Sequence, residues 1–354
     1  MAACLNRVGV AVPAWQVHDT FVQLADSLLE SKRDRALFRR MVDRGGIEQR
    51  WSVLEPNPPA ERSHAVDRTE FYRSGNFPST GARMKLYEQR APELAERAVH
   101  DLGLGAELQR VTHLVVVSCT GFVAPGIDLL LVDRLGLRPN VERTMVGFMG
   151  CYAALNGLKL ARHIVRSEPH ARVLVVCVEL CTLHFQETSE LEKILAFSLF
   201  GDGAAAALVT ADPVGLELDS FETLLVADEP DLITWTVRDQ GFDMVLSGKV
   251  PATLSRALKE RADLAPDRAE IDAWMVHPGG RSILDAVSEA YALPGHALDA
   301  SRKVLAERGN MSSATILFVA KELIEGTAPC TRGFGLAFGP GLTAETMRFH
   351  RVSP

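Results

Sequence analysis

Two hydrophobic rhythms alternate along this chain. Between residues 16 and 50 apolar side chains recur every three or four positions among charges (ADSLLESKRDRALFRRMVDRGGI), which predicts helix stopping at Gly45-Gly46. Residues 54–80 hold Pro, Ser, Asn and charges without a sustained period; they read as the longest loop and a candidate active-site flank. From Gly81 a long amphipathic helix (ARMKLYEQRAPELAERAVHDLGL) runs into THLVVVSCTG, a β-branched apolar run closed by small residues. That is the pattern of a buried strand ending at a loop. After a further helix and a turn at residues 136–139, an alternating stretch over 145–148 passes through Gly150 into an Ala- and Leu-rich helix. ARVLVVCVEL is a second buried strand, and SLFGDGAAAALVTAD a turn leading into a strand of small residues.

The last third repeats this grammar. IDAWMVHPGG is a strand ending in a loop, like THLVVVSCTG; RGNMSSATILFVAKEL is a turn opening a small-residue helix, like MGCYAALNGLKLAR. GFGLAFGPGLTAETMRFH reads as a glycine turn into a strand, like FGDGAAAALVTAD. Cys119 precedes Cys151 by 32 positions, and His277 precedes Asn310 by 33. The match suggests a duplicated β/α unit of about 150 residues, giving a helix-covered α/β fold of two halves, 1–210 and 211–354, related by a pseudo-twofold axis.

Composition narrows the function. With 354 residues, 47% of them hydrophobic, the chain has ample material for a core. A net charge of −7 and no Lys/Arg run longer than two argue against nucleic acid as partner, though local cations could grip one phosphorylated ligand. No apolar stretch reaches the ~18–20 residues of a membrane span, and the N-terminus does not read as a signal peptide. Six scattered cysteines, none in a CxxC pair, suggest reduced thiols in the cytoplasm and no zinc ribbon.

Three residues stand out chemically. Cys151 follows Gly150 at a strand-to-helix junction, where the helix dipole and free backbone N–H groups favour a thiolate. Its ordinary reading is a small buried thiol. His277 ends WMVH before Pro-Gly-Gly, which leaves room beside the ring; a lone strand-end His is more often a satisfied core residue. Asn310 follows Gly309 at a helix start, where N-capping is the common fate. Together they gain weight, because each lies at a strand end or helix start and the spacing repeats.

The segments GFMGCYAALNGLKLAR, LFGDGAAAALV, WMVHPGGRSILDAV, RGNMSSATILF and FGPGLTAET, in this order, resemble the type III polyketide synthases from about Arg39 onward. The resemblance implies a thiolase fold of layered αβαβα architecture. It implies that Cys151 is a nucleophile loaded from an acyl-CoA starter, completed as a triad by His277 and Asn310. These two would donate hydrogen bonds to the oxyanion and to the enolate left when malonyl-CoA loses CO₂. It further implies gatekeepers at Phe200 and Phe242, CoA contacts at Arg44 and Arg50, a homodimer, and no metal or other cofactor.

Departures from the plant chalcone synthase pattern bear on the substrate. Cys119, Cys181 and His184 stand at cavity-lining positions, Ala124 replaces a methionine that crosses the dimer, and Ala337 replaces the first glycine of the GFGPG loop. With ELCTLHFQ, the chain looks more like bacterial synthases that extend fatty acyl-CoA to alkylpyrones or alkylresorcinols. A ketoacyl-ACP synthase III-like enzyme, which HPGG and GNMSS speak against, and a catalytically silent thiolase-fold binding protein are the alternatives.

Overall fold

The structure, a computed structural model, describes residues 2–58, 65–226, 229–327 and 329–352. Its first half runs β1 (Cys4–Ala11), β2 (Trp15–Gln16), α1 (His18–Leu28), α2 (Lys32–Asp43), β3 (Trp51–Ser52), α3 (Thr80–Asp101), β4 (His113–Ser118), α4 (Ile127–Arg134), β5 (Glu142–Gly147), α5 (Ala153–Ser167), β6 (Val173–Leu180), α6 (Leu191–Phe197) and β7 (Asp202–Thr210). The second half runs β8 (Leu216–Leu225), β9 (Ile233–Arg238), β10 (Gly241–Leu246), α7 (Val250–Glu260), β11 (Ala273–Val276), α8 (Arg281–Tyr291), α9 (Asp299–Arg308), α10 (Thr315–Glu325), β12 (Gly333–Gly339) and β13 (Thr343–Arg351).

Nine strands form one mixed sheet in the order β11-β12-β13-β8-β1-β7-β6-β4-β5. β4 lies parallel to β6 and β6 antiparallel to β7; on the other side β11 lies parallel to β12 and β12 antiparallel to β13. The two sides meet at a seam of two paired positions, Cys4 with Glu217 and Leu5 with Leu216. Strand alternation sorts the side chains into layers. On β6, Val173, Val175 and Cys177 face a central core with α5 and α10, whereas Leu174, Val176 and Val178 face an outer core with α3. On the far side Trp274 and Val276 of β11 and Phe334 and Leu336 of β12 pack under α7 and α8. The layers therefore run helix, sheet, helix, sheet, helix.

Two elements differ from the sequence reading. The helix expected over residues 16–50 is two helices, because Ser31 caps a new one by accepting from the N–H groups of Arg33 and Asp34. GFGLAFG is not a turn but the fully buried strand β12. Its glycines make room for β13, since a Cβ on Gly333 would lie 2.2 Å from the Phe349 ring. Residues 59–64 of the expected loop lie outside the described residues.

Candidate active site

Cys151 lies in the 3₁₀ turn Gly150–Tyr152 that opens α5. Gly150 has φ +80°, and a Cβ there would lie 2.2 Å from Pro340 Cδ, so both conformation and packing require glycine. The second-half loop after β12 thus presses directly on the cysteine turn. Cys151 Sγ lies 3.8 Å from Ser312 Oγ, 3.9 Å from Asn310 Oδ1 and 4.0 Å from Asn310 Nδ2. Burial pushes its thiol up to about 11, against the pull of these contacts.

His277 follows β11, and its N–H donates to Leu336 O at 2.8 Å. The side chain is 1% exposed, and neither ring nitrogen has a hydrogen-bond partner among the described residues. Leaving such groups unsatisfied costs about 1–3 kcal/mol each. Burial pulls the ring down to about 3, so it is neutral at rest. Asn310 is tied on both ends: Nδ2 donates to Gly279 O at 3.3 Å, and Oδ1 accepts from Ser312 N–H at 2.8 Å. The amide thereby connects the His277-Pro-Gly-Gly turn to the Cys151 sulfur.

Two adjoining inner crevices and an open cleft lie near these residues. The one holding Cys151, about 460 Å³ with its mouth, includes Cys119, Cys181, Phe200, Trp235, Met244 and Ser312 in its wall. Behind Cys181, Phe197 and Phe200 lies a narrow apolar crevice, lined by Phe21, Leu24, Leu54, Val66, Tyr72 and Phe185 among others. An open cleft of about 2310 Å³ reaches from Arg44 and Arg281 at the surface to Leu199, Gly279 and Gly280 beside the site.

Several expected positions move. Phe200 borders both inner crevices, but Phe242 borders neither. Phe242 is fully buried among Phe122, Phe148, His184 and Trp235. Phe242, Met244 and Leu246 share one face of β10 at about 7 Å intervals. It is Met244 that packs with Phe200 and Cys181, while Leu246 lines the outer cleft. His184 does not line the cavity either. It is fully buried, with Nε2 donating to Thr120 O at 2.7 Å and Nδ1 accepting from Phe242 N–H at 3.1 Å, and it stacks on the Phe242 ring. Ala124 sits exposed on the loop before α4, away from its own crevices.

The two arginines also part. Arg44 is exposed in the open cleft, but Arg50 is 1% exposed and bonded inward, so it reaches no phosphate at a tunnel mouth. Arg281 takes the second cationic place in the cleft, at the start of α8. Its position directly after HPGG was the available signal, since a cation at a helix start needs a reason.

Sequence reasoning also passed over Glu179. This buried carboxyl ends β6, accepts from Cys119 N–H at 2.9 Å, Thr120 Oγ1 at 2.8 Å and Ser313 Oγ, and is pushed up to about 7 by burial. An ionisable residue closing a wholly apolar strand was its signal. Among the described residues no cluster of His, Cys, Asp or Glu could hold a metal, and no helix is long and apolar enough to cross a membrane.

A five-layered α/β body whose matched turns bring an amide within 4.0 Å of a thiol, and tie that amide to the turn after a buried imidazole, is the arrangement of a condensing enzyme of the thiolase fold. The models for chalcone and stilbene synthases match residues 2–213 with their N-terminal domain and 217–353 with their C-terminal domain. The chain belongs to this family, the type III polyketide synthases, which transfer acyl groups from acyl-CoA and malonyl-CoA without a further cofactor. Similar solved structures include the C-terminal type III polyketide synthase domain of Steely1 from Dictyostelium, at 24% identity and TM-score 0.89 over all of both chains. PKS-I from the brown alga Ectocarpus siliculosus is 25% identical with TM-score 0.86, covering 99% of this chain and 98% of that one. A mutant of CsyB is 23% identical with TM-score 0.84, covering 99% of this chain and all of the other.

Proposed function

We propose that Cys151 is the acylated nucleophile, that His277 and Asn310 are its hydrogen-bond donors, and that the starter is a fatty acyl-CoA. As Cys151 Sγ attacks the thioester carbonyl, its proton passes to the neutral His277 ring; the C–S bond to CoA then breaks and the leaving CoA thiolate takes that proton back, restoring the neutral ring. His277 and Asn310 Nδ2 then face the thioester oxygen of malonyl-CoA. Its carboxylate leaves as CO₂, and the electron pair remains as an enolate held by these donors. The enolate carbon attacks the Cys151 acyl carbonyl, the C–S bond breaks, and the lengthened CoA ester is reloaded. Cyclisation to an alkylpyrone or alkylresorcinol ends the sequence.

The observation that carries the fatty-acyl reading is the apolar crevice behind Cys181, Phe197 and Phe200, adjoining the Cys151 crevice through those same three residues. An alkyl chain needs apolar wall and few hydrogen bonds. Trp235, anchored by its N–H to Cys119 O at 2.8 Å, forms part of the wall of the Cys151 crevice. Phe200 and Met244 form the gate, and Arg44 and Arg281 are the cations for CoA phosphates. Residues 1–210 supply the nucleophile and 211–354 its donors, as two fused halves.

The exposed Phe122, Met145 and Met149 around edge strand β5 are the face we assign to a homodimer. Six free thiols fit the reducing cytoplasm.

A panel of acetyl-, hexanoyl-, long-chain and aromatic CoA starters with malonyl-CoA, read by product mass spectrometry, tests the substrate. Long-chain starters should dominate, and Cys181→Phe should shift preference toward short ones. Exclusive use of malonyl-CoA or an aromatic starter sinks the fatty-acyl reading.

A further inference from the structure

Arg50 is among the largest fully buried side chains, and among the described residues no carboxylate lies within ion-pair distance of it. Its acceptors are backbone and imidazole. Nη1 donates to Phe197 O at 3.0 Å and Phe200 O at 2.8 Å, and Nε donates to His18 Nδ1 at 3.1 Å. The guanidinium lies 4.5 Å over the Phe21 ring. His18 is therefore a neutral acceptor, and burial beside this cation pulls its ring down to about 4.

The two carbonyls belong to the turn that ends α6 and carries Phe200. The same turn holds Asn310 by its backbone: Asn310 N–H donates to Leu199 O at 2.8 Å, and Gly201 N–H to Asn310 O at 3.0 Å. From the other side the Arg50 stem packs on Gly309, which has φ +69° and where a Cβ would lie 2.7 Å from Arg50 Cγ. One side chain thus touches the turn bearing the gate and the residue preceding the amide. A guanidinium fork holds several acceptors in a fixed plane, which a lysine cannot reproduce.

We propose that Arg50 is a positioning residue that sets the Phe200 gate and the Asn310 amide against Cys151, acting on both through the backbone from its place in the wall of the apolar crevice. This deepens the mechanism above and rests on its assignment of Asn310.

Arg50→Ala, Arg50→Lys and Asn310→Ala full-length proteins, compared by melting temperature and steady-state kinetics, test it. Arg50→Ala should lose about 10²-fold in kcat with KM for both CoA substrates within about threefold, as for a misplaced catalytic group. Millimolar guanidinium chloride should restore part of that kcat, and urea at equal concentration should not. If Arg50→Ala does not fold, Arg50→Lys carries the test, with the same kcat loss expected. A folded Arg50→Lys with wild-type kcat overturns the proposal while an inactive Asn310→Ala leaves the mechanism standing. So does a kcat loss in Arg50→Ala that tracks a lowered melting temperature and ignores guanidinium. Wild-type kcat in Asn310→Ala overturns the mechanism and this proposal together.

Discussion

The two halves place their turns alike and furnish them oppositely. After β4 and β11 come Cys119 and His277; before α5 and α10 come Cys151 and Asn310. In the first half the strand-end residue is bound, since Cys119 Sγ accepts from Gly150 N–H at 3.0 Å, while Cys151 has only sulfur contacts of 3.8–4.0 Å. In the second half the strand-end His277 is unpartnered and the helix-start Asn310 is tied at both ends. In the proposed mechanism each half therefore offers one reactive group and one fixed group. The matched turns supply the geometry, and in the proposed mechanism the difference in hydrogen bonding separates the reacting member from the fixed one.

Removing the unbound members should do the most damage. Cys151→Ala should abolish product formation, and His277→Ala should lower kcat about 10²–10⁴-fold and impair malonyl-CoA decarboxylation as well as condensation. Radiolabelled acyl-CoA should label wild type and not Cys151→Ala; labelling retained in that variant would break the comparison at its root.

A smaller effect concerns charge at rest. With the thiol pushed up to about 11 and His277 down to about 3, both groups are neutral near pH 7. Raising pH increases only the thiolate fraction, so iodoacetamide alkylation of Cys151 should speed up about tenfold per pH unit between roughly pH 7 and 9. A plateau beginning below pH 7 would instead mean that the free enzyme already holds a thiolate–imidazolium pair.

The bound member Cys119 should matter least. Cys119→Ala leaves Gly150 N–H without its acceptor and should cost about 1 kcal/mol in stability, with activity within about threefold. A loss comparable to His277→Ala would show that Cys119 is not merely a support.

The turns were legible because strand ends, glycines and helix starts leave local signatures, and Cys151, His277 and Asn310 all sit on them. What failed were positions decided by facing and depth. Phe242 and Met244 share a β-strand face, so period alone cannot say which one meets Phe200. His184 lies only three residues after Cys181, yet the 3₁₀ turn aims it under Phe242 rather than into the cavity. Arg50 carries a charge that suggests surface, but its acceptors come from residues 18, 197 and 200, a convergence visible only after folding.

The seam of the sheet also sets an order of assembly. β1 occupies residues 4–11, yet it pairs along β7, whose partners run to Thr210, and touches β8 beyond it. Helix α3 can dock on β1 once residues 80–101 are made, but the pairing of β1 with β7 closes only across some two hundred residues, and closing so long a loop precedes the reward from those contacts. β8 in turn waits for β13, which pairs with it through Arg351. β1 is thus among the late strands to pair, and the fold pays for its continuous sheet with slow, non-local closure.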